Sequence, residues 1–145
     1  MRKTDNLREE RGSALVETAF ASVFLTLLVV AVFEFGMVFS SYVAVISASR
    51  AGASYASMHP SPADPDYNRY ADVARNELRA AFLDMREVSI LPPETPEGMA
   101  PGQQVRVTVT YRLRTFTSGI SLPIMGRLGL PDSYTVSWTT AMPIR

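Results

Sequence analysis

Apolar residues crowd the first third of the chain in one block and thin into alternating patterns afterwards. From Ser13 to Ser49 the only charges are Glu17 and Glu34, and Ala19 to Phe33 is apolar throughout except for Ser22 and Thr26. Neither proline nor a turn cluster interrupts the block, so a helix is predicted from Ser13 to about Ser57. At 1.5 Å per residue it would be roughly 65 Å long, about twice the hydrocarbon thickness of a bilayer. Its second half must therefore project into water. Ahead of it, Met1 to Gly12 is polar, sets Arg2, Lys3, Arg8 and Arg11 against Asp5, Glu9 and Glu10, and has no apolar periodicity. It reads as a disordered leader.

The run His59-Pro60-Ser61-Pro62-Ala63-Asp64-Pro65-Asp66 places three prolines in six positions and ends the first helix. Beyond it, Tyr67, Tyr70, Val73, Ala74, Leu78, Ala81, Phe82 and Met85 share one face of a second helix, which Asp66 can cap. Strands are predicted at Glu87 to Leu91, Val105 to Leu113 and Ser133 to Met142. In the middle one Val105, Val107, Val109, Tyr111 and Leu113 alternate with Arg106, Thr108, Thr110 and Arg112. Tyr134, Val136 and Trp138 repeat the alternation in the last. The fold class is α+β: a long N-terminal transmembrane helix, then a second amphipathic helix packed on a small antiparallel sheet. Three segments follow: a leader over 1–12, a long helix over 13–58 that spans the membrane in its first half, and an exported domain over 59–145. Within the last, Thr115 to Pro131 is unusually apolar for a connector, through Ile120, Leu122, Ile124, Met125, Leu128 and Leu130. It is read as a lid over the core or, alternatively, a docking surface.

Charge adds a direction. Acids and bases balance at 14 each, so no electrostatic footprint points to nucleic acid. The leader's basic residues, with none following until Arg50, favour a cytoplasmic N-terminus and an exported C-terminal part, with residues after about Val38 outside. The apolar block is too long for an ordinary cleaved signal peptide, which needs about 7 to 15 such residues. On hydropathy alone a plain signal anchor would suffice. Cysteine is absent, which excludes disulfides and thiolate metal sites.

The boundary Arg11-Gly12-Ser13-Ala14-Leu15-Val16-Glu17 is more specific. A basic leader ends in glycine, four uncharged residues follow, and an acid sits inside the apolar start. This resembles the prepilin-peptidase site of type IV pilin-like proteins. The resemblance implies a cut between Gly12 and Ser13 by an inner-membrane aspartyl protease, leaving Glu17 as the fifth residue of the mature chain. It also implies that Glu17 pairs with the free N-terminal amine of a neighbouring subunit and sets register during assembly. Physical chemistry agrees, since a carboxylate in an apolar run costs a few kcal/mol near the bilayer centre and calls for a partner. Taken by itself, Glu17 reads equally as an interfacial acid.

Together with Glu34-Phe35-Gly36 and Ser47-Ala48-Ser49-Arg50-Ala51-Gly52-Ala53, the boundary is similar to the TadE family of pilin-like proteins over about the first 57 residues. Thr18 departs from the pattern, because major pilins of that system follow the acid with an aromatic. That departure and the long C-terminal region imply a minor subunit of a Tad-type pilus, taking part in pilus assembly and adhesion. The partners implied are prepilin peptidase, other pilin-like subunits, the inner-membrane Tad assembly machinery and membrane lipid. The location implied is single-pass in a bacterial inner membrane.

Gly36, Ser40, Ala44, Ala48, Gly52 and Ala56 recur every fourth residue, a small-residue ridge that can serve as a helix-packing seam. Such a ridge drifts about 40° per step around a 3.6-residue helix, so it cannot face one straight partner throughout. Glu34 is expected as a solvated boundary residue near the outer interface.

Enzymatic chemistry is not expected. His59 stands alone beside a proline, and Asp64 and Asp66 lack the glycine and distal glutamate of a calcium loop. No phosphate-binding glycine loop or nucleophile elbow is present. The expectation is no cofactor, no metal, no small-molecule substrate and no nucleic acid. The competing reading is an uncleaved, signal-anchored exported module that binds another protein.

Overall fold

The computed structural model describes residues 2–115, 121–122, 126–127 and 131–145. Helix α1 runs Arg2–Met58, helix α2 Arg69–Ala80, and a 3-10 turn occupies Met85–Glu87. The strands are β1 (Val88–Ile90), β2 (Gln104–Arg114), β3 (Ser121–Leu122), β4 (Gly126–Arg127) and β5 (Ser133–Pro143). The architecture is the expected α+β.

Helix α1 begins well before Ser13, so the backbone of the leader is helical. Its sequence contains no proline, and a helix nucleated in the apolar block extends into it without a new nucleation cost. By contact density the chain divides into two compact units, Met1–Gly36 and Met37–Arg145. The second unit takes in the later turns of α1 as well as everything beyond the proline-rich break.

In the first unit α1 turns large side chains outward on all sides. Leu15, Phe20, Phe24, Leu28 and Val32 are all exposed, Phe20 at 74%. An exposed side chain of this size forgoes about 1.5–3 kcal/mol of burial, so a run of them calls for an apolar surrounding. The hydroxyls in the run are turned back onto the helix: Thr18 donates to Ala14 O, Ser22 to Ala19 O and Thr26 to Ser22 O, each at 2.8 Å. That is how a helix hides polar groups from hydrocarbon. Among the described residues, Gly12–Met58 holds the one stretch long and apolar enough to cross a membrane, and it fits a single-pass anchor.

The second unit is built around β2, the central strand of the sheet β1-β2-β5, antiparallel on both sides. Its inward residues Val105, Val107, Val109, Tyr111 and Leu113 are buried, as alternation predicts. In register across β5 stand Met142, Thr140, Trp138, Val136 and Tyr134. The opposite face is wet and carries a hydroxyl ladder, Thr108 to Thr139 at 2.7 Å and Thr110 to Ser137 at 3.0 Å. Helix α2 contributes Tyr70, Ala74 and Leu78 to the core, and α1 contributes Ala44, Val45, Ala48, Ala53 and Ala56. Tyr42 meets Trp138 edge-on, with ring centroids 5.8 Å apart. The end of the chain is tied down as well: Ile144 is buried, and Arg145 N donates to Ser57 O at 3.1 Å.

Two expectations for α2 change. Asn68, not Asp66, is the N-cap residue; Asp66 instead accepts from Arg69, through its carbonyl at 3.0 Å and its carboxylate at 3.1 Å. The helix also stops before Phe82. Phe82 N donates to Arg79 O and Leu83 N to Leu78 O, the bond pattern of a Schellman termination. Phe82 sits at the left-handed position with φ 58° and is 97% exposed, so it leaves the core face assigned to it.

The connector after Thr115 contains a two-stranded hairpin, β3 with β4, that no alternation announced. Its apolar residues Ile120, Ile124, Met125, Leu128 and Leu130 lie outside the described residues, so its reading as lid or docking surface goes no further.

Candidate processing and assembly site

Gly12 and Ser13 lie within α1 on exposed turns. A Cβ at Gly12 would meet nothing within 4 Å, so no packing inside this chain requires glycine there. Glycine inside a helix costs about 0.5–1 kcal/mol relative to alanine, which makes this turn an easy one to open into the extended form a protease binds. Glu17 follows one and a half turns later, exposed and flanked by Val16 and Phe20, and no ion pair to it occurs among the described residues. Gly12, Ser13 and Glu17 thus lie within two turns of one helix. The Thr18 hydroxyl is satisfied by the Ala14 carbonyl at 2.8 Å.

Glu34 differs from its expectation. It is 6% exposed, so it is buried and not a solvated boundary residue. A carboxylate withdrawn from water needs compensating contacts, and Glu34 engages other groups of the chain.

The small-residue ridge divides. Gly36 and Ser40 are exposed, whereas Ala44, Ala48, Gly52 and Ala56 are buried inside the second unit. A Cβ at Gly52 would lie 3.3 Å from Val107 Cγ1, 3.4 Å from Ala74 Cβ and 3.5 Å from the Tyr70 carbonyl. The neighbours of this part of the ridge are therefore the chain's own strand β2 and helix α2. Ser49, fully buried, donates to the Val107 carbonyl at 3.0 Å and stands 2.7 Å from Thr140 Oγ1.

His59 is not alone. Its Nδ1 lies 2.8 Å from Asp64 Oδ2, and its ring stacks on Tyr55 with centroids 4.9 Å apart. Asp66 N donates to Asp64 Oδ1 at 2.9 Å. That amide, and next the His59 hydrogen bond, hold the Asp64 carboxyl below the usual aspartate range. One ligand atom each from His59, Asp64 and Asp66 falls within 4.8 Å of the others. Both Asp64 oxygens and one Asp66 oxygen already have protein partners, so the arrangement works as a lock on the turn after α1. Sequence reading missed the pair because the five-residue spacing belongs to no regular element.

Comparison with curated proteins and with solved structures yields no match. The family comparison does: residues 12–54 match the model of the TadE-like protein family, so the similarity runs from the glycine of the expected cut to the small-residue face that meets β2.

Proposed function

We propose that this chain is a minor pilin-like subunit of a Tad-type pilus, acting as a structural component of assembly and adhesion and not as an enzyme. In this reading prepilin peptidase removes residues 1–12 on the cytoplasmic side of the inner membrane. Glu17 then pairs with the amine of a neighbouring pilin-like subunit as the helices bundle, and the inner-membrane Tad machinery extracts the subunit. The observation that carries the reading is the TadE-like match, which begins at Gly12 and includes Glu17. Exposure of Gly12 and Glu17, and the lack of any packing reason for the glycine, add support.

The test is N-terminal mass spectrometry of the chain recovered from native membranes with and without the cognate peptidase. A chain beginning at Ser13 only when the peptidase is present is the expected result. A chain retaining the leader in both strains would overturn the proposal and leave a signal-anchored binding module.

A further inference from the structure

Phe82 is held in a conformation that its own chain does not reward. A bulky residue at a left-handed position is costly, and this position at a helix end is usually glycine. The ring recovers nothing from the core, being 97% exposed. One residue before it, Ala81 lines a groove of about 510 Å³ together with Ala80 and Glu77 of α2 and Phe39, Val43 and Ala44 of α1. All of these belong to the second unit. Phe39 and Val43 are themselves exposed. Ser40 and Ser47 complete the wall, so the result is a mainly apolar groove with an exposed aromatic next in sequence to its lining residue Ala81.

We propose that this patch contacts lipid and seats the C-terminal unit on the bilayer surface from which α1 emerges. The inference rests on the reading of α1 as a membrane anchor. The argument is one of reach. Leu15 to Phe35 covers about 30 Å at 1.5 Å per residue, the thickness of the hydrocarbon layer. Phe39 follows Phe35 by four residues and so lies within about 14 Å of it even at full extension. The groove is therefore leashed to the headgroup zone, whatever direction the first unit takes. An aromatic and aliphatic patch confined to that zone has the interface itself as its apolar partner. Arg79 and Arg86, both exposed, lie on either side of Phe82 in sequence, with Glu77 and Asp84 interspersed. That balanced set suits zwitterionic headgroups.

The absence of cysteine makes the test direct. The full chain carrying F82C, labelled with an environment-sensitive fluorophore, is reconstituted into vesicles of phosphatidylethanolamine and phosphatidylglycerol. The vesicles contain lipid whose doxyl quencher sits near the glycerol end of the acyl chain. L25C, in the middle of the apolar run, reports insertion of α1, and T135C reports the wet face of the sheet. The expected result is several-fold stronger shallow quenching at position 82 than at 135, with position 25 responding to a deep quencher. Position 25 quenched and position 82 indistinguishable from 135 would overturn the lipid contact while sparing the anchor. No quenching at position 25 would overturn the anchor and the contact together. A blue-shifted label at 82 that ignores the quenchers but depends on protein density would overturn lipid contact in favour of a second copy of the chain.

Discussion

The two ends of helix α1 share an element and an apolar character but use residues of opposite size. From Leu15 to Phe35 the helix is rich in Phe, Leu and Val, and all of these but Val30 are exposed. From Met37 on, its inward positions are Ser41, Ala44, Val45, Ala48, Ser49, Gly52, Ala53, Ala56 and Ser57, and these are buried. Large side chains cover area and suit a fluid surrounding that adapts to them. Small ones suit a solid partner, because they let the helix backbone approach β2 until Gly52 has Val107 in contact distance. Most hydroxyls at both ends bond their own helix, Thr18, Ser22 and Thr26 in the first part and Ser41 and Ser57 in the second, whereas Ser49 reaches across to β2. Hydropathy alone reads both ends as the same; side-chain volume separates them.

The most direct way to break the comparison is to move bulk from one end to the other. Gly52→Leu puts a branched side chain where a single Cβ is already tight against Val107, Ala74 and the Tyr70 carbonyl. It should cost the C-terminal unit about 3 kcal/mol, within the upper range for overpacking. The reverse change, Leu25→Ala, removes almost as many atoms from an exposed site and should shift the stability of that unit by less than about 0.5 kcal/mol. Thermal unfolding of the full chain in detergent, followed through Trp138, measures both. Equal effects would show that the two ends are not packed differently.

Much of this division was legible in the residues. The alternation along β2 fixed its inward face, whereas the every-fourth-residue ridge falls on buried positions only from Ala44 on, with Gly36 and Ser40 exposed. What covers the ridge was not legible, because small residues suit a helix, a strand or another subunit equally well. The end of α2 was also hidden. Phe82 follows Leu78 at helical spacing, and no glycine or proline announces that the backbone turns left-handed there. Glu34 shows the same limit: its position along α1 suggested the water boundary, yet it is buried, and position along a helix does not reveal burial.

A smaller effect sharpens the comparison through hydrogen bonding. Ser49→Ala leaves the Val107 carbonyl and the Thr140 hydroxyl short of a buried partner. The expected loss is about 1.5 kcal/mol, typical of a buried group left unsatisfied. Ser22→Ala, whose lost bond is to its own helix, should leave the same unfolding transition in place. A Ser49 variant as stable as the parent would mean that water or a local shift repairs the contact.

The smallest expected effect lies just past α1, where the chain turns from helix to domain. Asp64 has its carboxyl held below the ordinary value of 3.8, first by the amide of Asp66 and then by His59. A depressed folded value means that the lock contributes fully above the ordinary value and is lost as pH falls through the lower folded one. It is therefore intact at neutral pH and weakens only in acid. Because the Asp66 amide is the larger cause, His59→Ala should raise the Asp64 midpoint only part of the way. Carboxyl carbon shifts followed by NMR in detergent would give that midpoint. A complete return to 3.8 would show that the imidazole, not the backbone turn, holds the charge, and the lock would then depend on one side chain instead of on the fold of the break itself.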